Sequence, residues 1–210
     1  MIPIEVRDRA KANLAKRHLY DFCKLMFPKF FIADRQYLKE ICYKIEDYIN
    51  NSSKHFLILN APPRFGKSIT AQCTSCWLFG KNPSCRIMTG SYNERLASVF
   101  SKNVRNIIQT EKVDKNIVYS DIFPDTKVKY GEAAAQMWSI DGQGQTSYLA
   151  TSPNGTATGF GCEYLIVDGL IKNAEEAYNE NALDDMYSWF VNTMLSRLEG
   201  QRKCIIIMTR

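Results

Sequence analysis

The run at 55–68, HFLILNAPPRFGKS, limits what this chain can fold into more than any other stretch. Residues 56–60 read as an apolar strand, Pro62 and Pro63 force a turn, and a helical run follows at 69–78. A chain that passes from strand through a tight turn into a helix leaves backbone N–H groups unpaired at the helix start, where they and the helix dipole attract anions. Lys67 adds a flexible positive charge and Ser68 a hydroxyl able to bind Mg²⁺, so the three residue types a triphosphate requires occur in order. The usual pattern is G-x-x-x-x-G-K-[ST]. Here Ala61 replaces its first glycine, and Pro62, Pro63, Arg64 and Phe65 fill the loop before Gly66. The flanking strand and helix supply the context that separates such a loop from a chance GKS. The cradle expected from this motif runs over Pro62, Pro63, Arg64, Phe65, Gly66, Lys67, Ser68 and Ile69.

Phosphate chemistry needs a second element, a strand-end carboxylate that holds Mg²⁺ directly or through water. Asp168 closes the apolar run YLIVD at 164–168 and fits that role; its alternative reading is a turn residue at a strand end. Ser68 and Asp168 are therefore the expected metal ligands. A residue that orients or deprotonates the attacking water is expected next, and that position is Gly169, which can do neither. Loss of a general base costs about 10²–10⁴-fold in rate and largely spares ground-state binding. Normal binding of Mg-nucleotide with very slow turnover is the expectation. Glu175 and Glu176, a little further along, are partial substitutes. Arg64, inside the loop, can reach a γ-phosphate and offset developing charge, or it can pair with a nearby carboxylate. Gln36 can bond an adenine edge or be a plain surface glutamine.

Strand and helix signals alternate along the chain. Residues of about 5–27 read as a helical lead-in with Leu14, Leu19, Phe22, Leu25 and Met26 on one side, ended by Pro28. A helix at about 35–48 places Leu38, Ile41, Ile45 and Tyr48 at helical spacing. A short strand at 85–89 precedes a capping box, Ser91-x-x-Glu94, and a helix with Leu96, Phe100, Val104, Ile107 and Ile108 on its buried stripe. A hairpin is expected from 137–140 and 148–150 around Asp141-Gly142, and a helix at about 183–198 turns Met186, Phe190, Met194 and Leu198 inward. The last strand spans 204–208. Apolar strands alternating with helices predict an α/β fold with a mostly parallel sheet covered on both faces. A lead-in over 1–52 and a nucleotide-binding core over 53–210 are the expected parts. The chain stops directly after a buried strand, which reads as a fragment.

With 210 residues, 45% of them hydrophobic, there is material for one substantial domain. No apolar run approaches the roughly 20 residues of a membrane helix, and the first residues lack a signal peptide's apolar core, so a cytosolic protein is expected. Seven unframed cysteines suit a reducing compartment, and Cys73-x-x-Cys76 reads as two small buried side chains rather than a metal or redox pair. The net charge of +5 agrees with nucleic-acid binding without requiring it. Lys11, Lys16, Arg17 and His18, and separately Lys102, Arg105, Lys112 and Lys115, form basic groups that solvated faces would also produce.

These residues together resemble the ATPase domain of bacteriophage large terminase subunits, the motors that package DNA into procapsids. The resemblance lies in APPRFGKS (61–68), GSYNERLASVFSKNVRNII (90–108), TSPNGTATGFGCEYLIVDGLIKN (151–173) and RLEGQRKCIIIMTR (197–210), the last two being the most specific. It implies a P-loop ATPase of the additional-strand type, its Walker B strand next to the P-loop strand but not adjoining it in sequence. It also implies ATP-driven translocation of double-stranded DNA, a homo-oligomeric ring on the portal protein, a small terminase partner, and a place in the host cytoplasm at the procapsid. Carried over by position, Lys67 and Ser68 serve phosphate and Mg²⁺, Arg64 is the loop arginine and Asp168 the Walker B aspartate. Thr209 belongs to the coupling motif, and Gln36 is the adenine-sensing glutamine. Relatives carry a second acid where Gly169 stands, and they add a C-terminal nuclease domain that this chain lacks, so it is not expected to cut DNA. Arg197 or Arg95 would be the arginine donated to a neighbouring subunit. Two other readings stand beside this one: a non-hydrolysing nucleotide-binding module for assembly or DNA binding, and a helicase-like P-loop ATPase.

Overall fold

A computed structural model describes residues 3–132, 134–153, 155, 157 and 159–209. The elements in chain order are helices α1 (Ile4–Arg17), α2 (Leu19–Met26) and α3 (Gln36–Asn50), strand β1 (Phe56–Ala61), α4 (Lys67–Lys81), β2 (Ile87–Gly90), α5 (Glu94–Gln109) and the short α6 (Tyr119–Ile122). Then follow β3 (Met137–Trp138), β4 (Tyr148–Thr151), β5 (Cys162–Asp168), the single turn α7 (Ala174–Ala177), α8 (Glu180–Trp189) and β6 (Leu198–Thr209).

The six strands form one sheet in the order β1-β6-β5-β2-β4-β3, parallel except for the β3–β4 pair. The mostly parallel sheet flanked by helices is the architecture the alternating pattern predicts. β3 and β4 pair Trp138 with Tyr148 in the expected hairpin, and the two rings stack with centroids 4.7 Å apart.

β5 does not lie beside β1. The chain's last strand, β6, inserts between them, pairing Ala61 with Thr209 on one side and Asp168 with Ile207 on the other. Its apolar run of Cys204, Ile205 and Ile207 is buried on both faces, which only a central strand requires. The registers align the ends of β1, β6, β5 and β2 along the carboxyl edge of the sheet, where open α/β sheets place their ligand crevices.

Two apolar layers cover the sheet. Ile166, Ile205 and Ile207 pack on one face with α4, which is buried from Thr70 to Phe79 except at Gln72, and with residues of the lead-in helices such as Phe22, Leu38 and Ile45. Leu165, Val167 and Cys204 pack on the other against Phe190 and Met194. The outer part of that second face, at edge strand β1, is bare: Phe56 and Ile58 are 46% and 58% exposed.

Five local expectations need correction. The lead-in is two helices, because His18 is extended (φ −123°, ψ 125°) and Glu46 of α3 accepts the Leu19 N–H at 2.8 Å, capping α2 from a distance. The face turned inward in α1 is accordingly Ala12 and Ala15, and Leu14 is 48% exposed. α5 is capped by Asn93, whose side chain accepts the Leu96 N–H at 2.9 Å, instead of by Ser91. That leaves Leu96 exposed, with Ala97, Phe100, Val104 and Ile108 buried. The helix expected at 183–198 ends at Trp189 and continues as a wide π turn at Phe190–Met194 and a 3₁₀ turn at Leu195–Arg197, so Leu198 already belongs to β6. The wide turn presses Met194 onto the sheet, its Cε 2.5 Å from where a Cβ on Gly90 would lie. Of the motif at 151–173, Asn154, Thr156 and Thr158 lie outside the described residues, as does Arg210.

Candidate functional site

The loop between β1 and α4 turns through two left-handed residues, Arg64 (φ 65°) and Gly66 (φ 78°). A non-glycine residue held there is uncommon, and such strain persists where the surroundings over-determine the backbone. The surroundings are the lead-in segment after α2. A Cβ on Gly66 would lie 2.4 Å from Cε1 of Phe30 and 3.0 Å from Cδ2 of Leu38, so only glycine allows this approach. Phe65 packs on Tyr37 with ring centroids 4.9 Å apart, and Arg35 lies over the Phe30 ring at 4.4 Å. These buttressing residues went unread in the sequence, although the aromatic run FPKFF at 27–31 after a helix stop was a signal for them.

Lys67 opens α4 and folds back over the loop, its Nζ donating to the carbonyls of Ala61 at 2.6 Å and Pro62 at 2.7 Å. Its side chain is buried, and burial lowers its pKa against the opposing pull of Asp168. Asp168 ends β5 across the edge from the loop. Burial raises its carboxyl above the usual value of 3.8, and the neighbouring Ser68 hydroxyl and the charge of Lys67 act in the opposite direction. Each of the three groups therefore senses another: Lys67, Ser68 and Asp168 share one site. Chemically it combines a partly desolvated carboxylate, an exposed hydroxyl and an ammonium at a helix start, a donor set that suits a hard divalent cation bound to phosphate oxygens.

The remaining predicted residues distribute around that centre. Thr209 sits beside Ala61 in the β1–β6 register, between the loop strand and the strand of Asp168, and is exposed. Gly169 is left-handed (φ 69°) and pinned by its backbone: its N–H donates to Ile207 at 3.1 Å and its carbonyl accepts the Tyr92 N–H at 2.9 Å. A Cβ there would meet nothing within 4 Å. Arg64 is exposed, with no hydrogen bond or ion pair among the described residues. Pro62, Pro63 and Phe65 are exposed along the loop, and Ile69 is half-buried at its end.

Gln36 is the first residue of α3, exposed, on the segment whose next two residues back the loop. Glu176 is engaged with the Lys172 N–H at the start of α7, and Glu175 is exposed beside it. Arg95 is exposed on the first turn of α5, and Arg197 is half-buried with its Nε lacking a partner among the described residues. Of the basic groups, Lys112 pairs with Asp121 at 2.8 Å and Arg105 donates to the Ala134 carbonyl at 2.7 Å, so both serve local structure. Cys73 and Cys76 are buried, and no cluster of three metal-ligating side chains occurs among the described residues. No described helix is long and apolar enough to cross a membrane.

No family model matches the chain, and no curated protein matches it either. Among solved structures it is similar to the N-terminal domain of the DNA packaging ATPase from bacteriophage phi29, at 16% identity and a TM-score of 0.47, over 79% of this chain and 76% of that one.

Proposed function

We propose that this chain is the ATPase domain of a viral DNA-packaging motor of the large-terminase kind. In this reading it is a P-loop enzyme of the additional-strand type, β6 being the additional strand. The observation that carries it is the meeting of Lys67, Ser68 and Asp168 at the carboxyl edge of a parallel sheet, on a loop that carries two left-handed residues. The resemblance of the motifs at 61–68, 151–173 and 197–210 to that family supplies the biological setting.

Lys67, which here donates to the loop carbonyls, would turn to the phosphates of Mg-ATP, the Ser68 hydroxyl and Asp168 would hold the metal, and Arg64 would reach toward the terminal phosphate. A Mg²⁺ ion held there would supply charge neutralisation at the phosphate oxygens. Thr209, between the two strand ends, passes the state of the site to parts that grip double-stranded DNA. The portal protein and a small terminase subunit are the expected partners, with the subunits in a ring at the procapsid in the host cytoplasm.

Gly169 makes turnover slow. It places no acid beside Asp168, and its left-handed backbone is one that glycine adopts freely while most side chains do not. The same observation favours a second reading, a nucleotide-binding module that assembles without hydrolysis. Steady-state phosphate release, with and without double-stranded DNA, separates the two. Open space at the Gly169 Cβ lets Gly169→Asp be compared directly, aspartate being among the side chains that tolerate this backbone. The motor reading expects slow DNA-stimulated release, raised about 10²-fold or more by Gly169→Asp. Equal release by both proteins, unmoved by DNA, refutes it.

A further inference from the structure

The segment at 173–189, which carries α7 and α8, holds five carboxylates and no cation in a chain whose net charge is +5. α8 buries no residue fully. Its partly covered side is Ala182, Met186 and Trp189, and its outward stripe is Glu180, Leu183, Asp184 and Tyr187 at helical spacing. Tyr187 is 68% exposed and Tyr178, just before the helix, 87%. Tyrosine is enriched in protein–protein contacts, and the carboxylates beside it repel nucleic acid, so this face suits a protein partner with positive charge. α5 offers such a surface. Between 95 and 109 the chain has three cations and no carboxylate. Arg105 serves a local loop, but Arg95, Val99 and Lys102 lie one above another on the exposed side with Leu96 beside them. Neither Arg95 nor Lys102 has a hydrogen bond or ion pair among the described residues. We propose that the outward face of α8 docks on the outward face of α5 in a second copy of this chain, head to tail.

Charge and position both select a second copy. The stripes match in pattern: carboxylates with Leu183 and Tyr187 on one, cations with Leu96 and Val99 on the other. They lie on opposite faces of the sheet. Phe100 and Val104 of α5 belong to the layer with α4, whereas the wide turn that continues α8 packs Phe190 and Met194 into the other layer. One molecule therefore cannot bring its own stripes together. A two-fold pair of α8 helices would set carboxylate against carboxylate, which leaves a heterologous contact repeated from copy to copy. Both helices start from the carboxyl edge, α5 after β2 and α8 after β5, and the Tyr92 N–H ties the two strand ends together at the Gly169 carbonyl. Copies stacked in one orientation then keep every phosphate loop on the same side. The contact gives the subunit ring of the preceding reading its interface, while the pairing itself needs no nucleotide. Arg95 faces a neighbouring subunit in it, as expected of that residue, but meets carboxylates there.

Sedimentation velocity over a concentration series tests the contact by charge exchange. The proteins are wild type, the α8 variant Glu180→Lys/Asp184→Lys, the α5 variant Arg95→Glu/Lys102→Glu, and a chain with all four changes. Each of these side chains is exposed, and circular dichroism melting checks that every variant folds. Wild type should self-associate, and less so as salt is raised from about 0.1 M to about 1 M. Either double variant should lose about tenfold or more in association. Mixing the two double variants, or combining all four changes in one chain, should restore it, because opposite charges face each other again. A monomeric wild type, double variants that associate as wild type does, or a mixture that stays dissociated overturns the contact. So does an α5 variant whose single defect is weaker binding of double-stranded DNA. Calorimetric titration of Mg-ATP into wild type keeps the two readings apart. A monomer that binds Mg-ATP overturns this contact alone, and a protein that assembles by charge exchange without binding Mg-ATP overturns the ATPase reading alone.

Discussion

Replacing Gly66 with alanine tests how tightly the lead-in holds the phosphate loop. The new methyl group would sit 2.4 Å from Cε1 and 2.9 Å from Cζ of Phe30 and 3.0 Å from Leu38 Cδ2, at a φ of 78°. Left-handed backbone costs a non-glycine residue roughly 1–2 kcal/mol, and forcing a methyl into packed side chains costs about 1–3 kcal/mol more. The sum, about 2–5 kcal/mol, is a large share of the roughly 5–15 kcal/mol by which a domain is stable. Phe30→Ala in the same chain removes the ring that clashes and leaves the backbone strain. The double variant should then be more stable than the sum of the two single losses predicts, by about 1–3 kcal/mol. Urea unfolding followed by circular dichroism on the four proteins measures this. A Gly66→Ala loss under about 1 kcal/mol, or single effects that simply add, would refute the buttress.

Two further predictions concern buried charge. Asp168 has its carboxyl pKa raised by burial, so the ionised form is a penalty on the folded state that is complete above the folded pKa and is gone once pH falls below the unfolded value near 3.8. Asp168→Asn should therefore melt at a higher temperature than wild type at pH 7, the gap closing as pH is lowered toward 4; a gap that widens on acidification contradicts this. Lys203 of β6 is buried and donates to the carbonyls of Tyr48 at 3.1 Å, Ser52 at 2.5 Å and Lys54 at 3.3 Å, closing the end of α3. Lys203→Met strips those carbonyls of their donor and should cost about 1–3 kcal/mol in chemical denaturation, an unchanged midpoint being the contrary result.

What was legible in the sequence was what short-range chemistry dictates. The loop at 61–68 announces itself because strand, turn and helix start are contiguous, and Asp168 because an apolar strand ends on a carboxylate. What stayed hidden depends on partners far along the chain. The break at His18 is set by Glu46, 28 positions away, which competes for the backbone that a continuous helix would have used. The insertion of β6 between β1 and β5 is a pairing choice that an apolar run alone does not express. The wide turn at Phe190–Met194 follows from packing onto Gly90, not from its own residues, which read as ordinary helix. The cap on α5 was misplaced by two positions because Ser91 and Asn93 are both good capping residues and only the Ser91 N–H, bonded to Thr151, shows which one the sheet takes.

A divalent ion held jointly by Ser68 and Asp168 is the centre of the proposed site, and its contribution to nucleotide binding can be measured directly. ATP affinity is determined calorimetrically with Mg²⁺ and with EDTA, in wild type and in Asp168→Asn. Wild type should bind ATP at least tenfold tighter with Mg²⁺, and Asp168→Asn should lose most of that gain while keeping the affinity seen in EDTA. An equal Mg²⁺ gain in both proteins would place the metal away from Asp168 and contradict the shared site.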